Sequence, residues 1–356
     1  MSKPSRQTWR ARAVATLATI LLAGLALLLP AQPARAHPGL VYGVAVAGIS
    51  PWTMDLARQA GFTHVKVSIT WAQLQSTPRR FEWKTTDEND LDNILRAAGG
   101  AGLRVDGGPP WTGGAAYNAS HEDIFKLYTN LAEYAGDRVA AYEVLNEPNL
   151  PGDWGAAPDP AGYARYLKAA SDGVRAAKSS ALVLGGGLSP ATGGNNGTLE
   201  DFDFLRGMYA AGAKGTMDGL AIHNYGGGTA PEQDPFDCNE LCFRRAERYK
   251  TLLAELGDPD LPIWATEFGW PIDGGRDIGG FNWMKVSPEQ QTDYIVRAFA
   301  YARANWDWMR GMLLFNLDHS TAPWHGPDTS LHWFSILNPD HSPRPAYEAV
   351  KRMAKP

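Results

Sequence analysis

Apolar residues along this chain follow two alternating rhythms. Short runs rich in Val, Ile, Leu and Ala are separated by longer stretches in which apolar positions recur every three or four residues. The first rhythm predicts strands at Val41–Val46, His64–Ile69, Leu103–Asp106, Val139–Leu145, Ala181–Leu184, Gly219–Ile222, Leu261–Thr266 and Gly311–Asn316. The second predicts helices, among them Asp90–Ala98, Glu122–Tyr134, Ala161–Ala177, Phe204–Ala211, Phe243–Glu255 and Pro288–Ala304. Asp159 before Pro160 reads as an N-cap with proline at the first helical position, and Ser287 to Gln290 reads as a capping box. Most strand runs are continuously apolar, as expected when helices cover one face and a filled core the other. Eight strand–helix units with no linker and no internal repeat predict an α/β fold, a single (β/α)8 TIM barrel.

The connections are uneven. Helix-to-strand links are brief, as at Gly99–Gly102. The stretches Gly185–Asp201, Asn224–Leu241, Phe268–Ser287 and Leu317–Trp333 are long and rich in glycine and aromatics. In such a barrel only the loops after strands line the catalytic mouth.

The first 36 residues stand apart from this pattern. Lys3, Arg6, Arg10 and Arg12 precede the apolar run Ala13–Leu29, and Ala34-Arg35-Ala36 supplies small residues at a cleavage site. That order predicts a secretory signal peptide cleaved after Ala36, in preference to a membrane anchor, and with it a secreted, extracellular protein of bacterial type. Cleavage leaves 320 of the 356 residues and, by removing five basic residues and no acidic one, moves the net charge from −5 to −10. So acidic a chain is ill suited to nucleic acid or an anionic membrane surface. Twelve of the thirteen Trp remain, which suits a neutral ligand held by stacking. Cys238 and Cys242, the only cysteines, are expected to form a disulfide that staples a loop. No metal-ligand cluster is evident, so neither metal nor cofactor is expected.

Glu147, in Leu145-Asn-Glu-Pro-Asn149, and Glu267, in Trp264-Ala-Thr-Glu-Phe-Gly-Trp270, each end a strand run, the fourth and the seventh. In a closed eight-stranded barrel those two strand tips face each other across the mouth. A lone glutamate at a strand end is as often a solvated or capping group. Two that converge are what glycosidic bond cleavage needs: one carries a proton to the departing oxygen, and the other attacks the sugar.

On these residues the chain resembles the clan A retaining glycoside hydrolases, cellulase-like families five and thirty-nine in particular, from Gly39 to Met353. The resemblance implies that Glu147 is the acid/base and Glu267 the nucleophile, and that Asn146 binds the 2-hydroxyl of the reacting sugar. It also implies that Tyr225, in His223-Asn-Tyr225, touches the nucleophile carboxylate, and that Trp71 and Trp111 shape sugar subsites. Two positions depart from the clan's pattern: Lys66 stands where many members carry Arg, and Phe315 or Asn316 where a Trp often floors the central subsite. A Lys keeps the charge but loses the bidentate fork. Lys66 is therefore expected in an ion pair, and a Schiff-base role is disfavoured.

Trp52, Trp264 and Trp306 are expected to pack, and Trp83 to be a rim contact or a staple. About half of Trp154, Trp270, Trp283 and Trp324 are expected to touch sugar. The expected substrate is a β-linked oligo- or polysaccharide, cleaved internally by a monomer. An exo-acting β-xylosidase or β-glucosidase, or a barrel that binds carbohydrate without turnover, are the alternatives.

Overall fold

The computed structural model describes residues 39–70, 75–77, 80–81, 91–100, 104–111, 118–194, 196–238 and 241–355; for 69–70, 75–77, 80–81, 100 and 104–111 the backbone alone is described. Within residues 39–355, eight parallel strands close into a barrel: β1 (Val41–Ala45), β2 (His64–Thr70), β3 (Arg104–Trp111), β4 (Val139–Val144), β5 (Leu182–Leu188), β6 (Gly219–His223), β7 (Ile263–Phe268) and β8 (Met309–Leu314). Closure is visible at Val44, which pairs with Val65 of β2 on one side and Leu314 of β8 on the other. The outer helices are α1 (Pro51–Gln59), α2 (Leu91–Gly100), α3 (His121–Ala135), α4 (Pro160–Ala176), α5 (Asp201–Ala210), α6 (Arg245–Glu255), α7 (Pro288–Asn305) and α8 (Pro345–Arg352). No helix among the described residues is long and apolar enough to cross a membrane.

Local chemistry accounts for the helix starts. Asp159 accepts from the Ala161 N–H at the head of α4, with Pro160 behind it. Ser287 and Gln290 form the reciprocal capping box of α7. Helix α1, absent from the predicted set, carries the same signal: Ser50 caps the Thr53 N–H ahead of Pro51. Strand β5 runs through Gly185–Gly187, which the sequence places in a loop because glycine usually interrupts strands.

The barrel interior is layered. Ala141, Leu184, Ala221, Trp264 and Leu313 form an apolar plug, in which the indole of Trp264 fills the space that glycines leave at 219 and 311. A side chain recurs on the same face of a strand every second residue. One rung above the plug, β4 therefore presents Glu143 and β6 presents His223, both buried. The remainder of the core, between the strands and the helix ring, is largely apolar but includes a buried ion pair between Asp201 and Arg245. The polar rung at the carboxyl end of the barrel gathers Lys66, Glu143, His223 and Glu267, all buried.

Candidate active site

Lys66 on β2 is the hub of that rung. Its Nζ lies 2.9 Å from Glu267 Oε1 and 2.9 Å from Glu143 Oε2. His223 bridges the opposite side: Nε2 is 3.2 Å from Glu143 Oε1, and Nδ1 is 2.8 Å from Glu147 Oε1 and 3.5 Å from Glu267 Oε2. Contacts of 2.8 and 3.5 Å to one nitrogen limit these two oxygens of Glu147 and Glu267 to a separation of at most about 6.3 Å. The hydroxyl of Tyr225 donates to the other oxygen of Glu267. Asn146 Nδ2 donates to Asp153 Oδ1 at 3.0 Å.

The backbone that presents Glu147 is unusual. Leu145 (φ 68°) and Glu147 (φ 40°) occupy the left-handed region, which costs free energy for a residue with a Cβ. The surroundings enforce it. Tyr163 donates to the Val144 carbonyl, the Glu147 N–H reaches the Gly187 carbonyl, and Asn149 is bonded to Ser189 and Leu199. Gly187 (φ 59°) has a second role: a Cβ there would lie 2.4 Å from Glu143 Oε1. Only glycine lets β5 pass this close to the buried carboxylate.

The electrostatics follow from the pairing. Burial pushes Glu143 up, but Lys66 and His223 outweigh it and hold the carboxyl at about 2. Burial likewise opposes ionisation of Glu267, yet His223, Lys66 and the Tyr225 hydroxyl hold its pKa below the ordinary carboxylate value despite Glu143 nearby. For Lys66, burial is overcome by Glu143 and Glu267, which raise its pKa above the normal lysine value. For His223, burial and the repulsion of Lys66 are overcome by Glu267, Glu143 and Glu147, which raise it to about 10. His223 is thus an imidazolium whose two N–H groups donate to two different carboxyls. Asp153, further out, is lifted to about 6 chiefly by burial, against the stabilising hydrogen bond from Asn146.

A stability profile follows. The contribution of Glu143, whose folded pKa is depressed, is complete above its ordinary value of 4.5 and fades as pH falls toward about 2. That of His223, whose folded pKa is raised, is complete below 6.5 and fades as pH rises through about 10. The melting temperature is expected to fall as pH rises from 6.5 toward 10, and this alkaline decline is expected to be absent in His223→Asn. A melting temperature level from pH 6.5 to 10 in the unmodified protein contradicts the charge assignment.

Lys66, Glu143, Glu147, Asp153 and Glu267 line a cleft of about 750 Å³ at the carboxyl end of the strands. Asn146, Glu147, Asp153 and Ser189 give one side a polar surface, whereas Phe281, Trp283 and Phe334 give another an aromatic one. Glu143 and Asp153 are absent from the residues that the sequence reading selected. Glu143 carried a usable signal, since a charge within an apolar strand run is seldom buried without a partner. Asp153 carried none.

Other expected positions fall differently. Trp270 is fully buried against Phe243 and Tyr294, with its indole N–H bonded to the Thr229 carbonyl, and is not in the cleft wall. A Cβ at Gly226 would collide with this ring, so the loop closes over it. Asn316 is also buried: its amide bonds Leu331, His319 and Ser335, and the neighbouring Phe315 lines the cleft. His223 has a fully buried side chain that touches carboxylates and leaves no face for substrate. Lys66 is in ion pairs. Trp154 is buried, Trp283 is 53% exposed in the cleft, and Trp324 is exposed beside a smaller adjoining cavity. Trp264 and Trp306 are buried, while Trp52 is 46% exposed and meets His341 edge-on. Trp71 and Trp83, and the side chain of Trp111, lie outside the described residues. The sulfurs of Cys238 and Cys242 are joined in a disulfide. Among the described residues no group of three or more His, Cys, Asp or Glu could hold a metal ion.

Residues 45–310 match the family described as cellulase (glycosyl hydrolase family 5). No curated protein matches this sequence. Solved structures with the same fold include a family 39 glycoside hydrolase from the gut symbiont Bacteroides cellulosilyticus WH2, at 22% identity and TM-score 0.68 over 88% of this chain. The chain spans 63% of that enzyme, under two thirds of its length. GH5_18 from Streptomyces cattleya, solved in complex with GlcNAc, aligns at 16% identity and TM-score 0.64 over 88% of this chain and 79% of that one. A GH128 endo-beta-1,3-glucanase from Sorangium cellulosum aligns at 19% identity and TM-score 0.57 over 88% of this chain and 99% of that one. At these identities the likeness is one of fold.

Proposed function

We propose, from the premise that this chain belongs to the cellulase family (glycosyl hydrolase family 5), that it cleaves β-linked oligo- or polysaccharides internally, with Glu267 as nucleophile and Glu147 as acid/base. The observation that carries this reading is that Nδ1 of His223 meets one oxygen of each carboxyl, those two oxygens being at most about 6.3 Å apart. Oxygens this close suit the roughly 5–5.5 Å carboxyl spacing of a retaining site better than the roughly 6.5–9.5 Å of an inverting one.

Each role has a local support. Lys66 and Tyr225 occupy the two oxygens of Glu267 and favour its anion, the form that attacks the anomeric carbon. As His223 donates to Glu147 Oε1, the oxygen Oε2, which no described residue bonds, is left to pass a proton to the leaving oxygen. Once the glycosyl ester forms on Glu267 that anion is gone, and Glu147, now ionised, takes a proton from the incoming water. Asn146, its amide set by Asp153, faces the reacting sugar from the same side as Glu147. Asp153, Lys66 and His223 are positioning residues in this scheme.

The exposed Phe281 and Trp283 add aromatic surface to the cleft wall beyond what a single sugar needs, which favours several sugar rings bound in line. Incubation with β-glucans, xylans and mannans, followed by sizing of the products, tests this. A ladder of intermediate oligomers is expected from one polymer class; monomer alone would overturn internal cleavage in favour of the exo-acting reading. We also read residues 1–36 as a signal peptide, so that the secreted protein begins at His37, which N-terminal sequencing of the exported product checks.

A further inference from the structure

His319, five residues beyond β8, is a partly buried titratable group that the scheme above does not use. Its ring stacks on His325, with centroids 5.1 Å apart at 19°, and tilts against Phe315, with centroids 5.1 Å apart at 56°. It lines the main cleft and also the adjoining cavity of about 220 Å³, whose walls include Trp324, Ile49 and Ser68. The backbone N–H of His319 is occupied, donating to Asn316 Oδ1. Its ring is not: among the described residues Nδ1 is enclosed without a hydrogen-bond partner, and nothing bonds Nε2.

Nδ1 is enclosed by the protein, so a ligand entering from the cleft meets this ring at Nε2. The charge state narrows the ligand. Burial, with His325 alongside, holds the ring at about 3, so it is neutral at working pH, with one nitrogen donating and the other accepting. The one reachable nitrogen of a neutral ring either donates or accepts, according to tautomer, and a hydroxyl, which can do either, matches it better than an anion or a cation.

We propose that His319 is a substrate-binding residue that hydrogen-bonds one hydroxyl of the sugar lying where the cleft meets the side cavity, and so selects among β-glycosides at that hydroxyl. This rests on the glycosidase reading of the cleft. The ring stack fixes the imidazole plane, and Phe315 beside it offers the apolar surface for the same sugar's C–H face.

Two variants separate binding from structure. His319→Phe keeps the ring and its stacking while removing both nitrogens; His319→Asn keeps a donor and an acceptor on a smaller frame. Each is measured as kcat and KM, and in the Glu267→Gln background as Kd for the oligosaccharides the enzyme produces. For His319→Phe, KM and Kd are expected to rise about tenfold or more with kcat little changed, and His319→Asn is expected to recover part of the affinity. The melting temperature of His319→Phe is expected to stay level or rise, because an unsatisfied buried group has been removed. Unchanged Kd in His319→Phe overturns the proposal, as does an affinity loss matched by a loss of stability that His319→Asn does not recover. If the Glu267→Gln parent binds none of the oligosaccharides, the glycosidase reading itself falls; equal binding by parent and His319→Phe removes this inference alone.

Discussion

Replacing Glu267 with Gln is expected to lower kcat by about 10⁴-fold or more, with the circular dichroism spectrum unchanged. The substitution keeps the shape of the side chain and leaves one oxygen for the Lys66 or Tyr225 contact. It removes the anion, and an amide oxygen is too weak a nucleophile to form the glycosyl ester. Lys66 stays paired through Glu143, so the fold retains its buried counter-charge. Binding of saccharide is expected to survive, because the aromatic cleft wall is untouched. The same measurement addresses a barrel that binds carbohydrate without turnover. An equally low rate in the variant and the unmodified protein would favour that binder.

The second large effect is expected at Glu147, and its size should depend on the leaving group. With an oligosaccharide, whose departing alcohol needs a proton, Glu147→Ala is expected to lose about 10²–10⁴-fold in kcat/KM. With an aryl β-glycoside whose phenol leaves unaided, kcat/KM should fall far less, because ester formation on Glu267 then needs no acid. Ester breakdown still lacks a base, so kcat falls for both substrates. Azide, a small anion that attacks without general base, is expected to enter the vacated space, restore turnover and yield a β-glycosyl azide. Equal losses on both substrates, or no azide product, would point to a structural role for Glu147. In that case its contact with His223 and its left-handed backbone would be maintaining the loop and not placing an acid.

The fold was readable because its signals are local. Continuous apolar runs, the Asp159 and Ser287 caps and the eight-fold alternation each depend on a few neighbouring residues. Strand tips bearing Glu147 and Glu267 were readable for the same reason. The charge network was not, since Lys66, Glu143 and His223 come from strands far apart in sequence and meet only when the barrel closes. Glu143 is instructive: within Val139–Val144 it looks like a blemish in a strand, and its meaning depends on a lysine 77 residues earlier. Trp270 and Asn316 show the opposite failure. Both lie on the mouth side of the barrel, as the sequence suggested, but their loops fold back and bury them, and Trp283 and Phe315 face the cleft instead. Which side chain of an aromatic loop faces the cleft is decided by packing contacts that periodicity does not record. Gly226 beneath Trp270 and Gly187 beside Glu143 fix two such outcomes through the absence of a Cβ.

Covalent trapping tests the central assignment most directly. The enzyme would be inactivated with a 2-deoxy-2-fluoro β-glycoside of the sugar it releases, then digested and mapped by mass spectrometry. Attachment of one fluoroglycosyl group to the peptide carrying Glu267, at that residue, is the predicted result. A label on any other side chain, or time-dependent inactivation with no covalent adduct, would contradict the account.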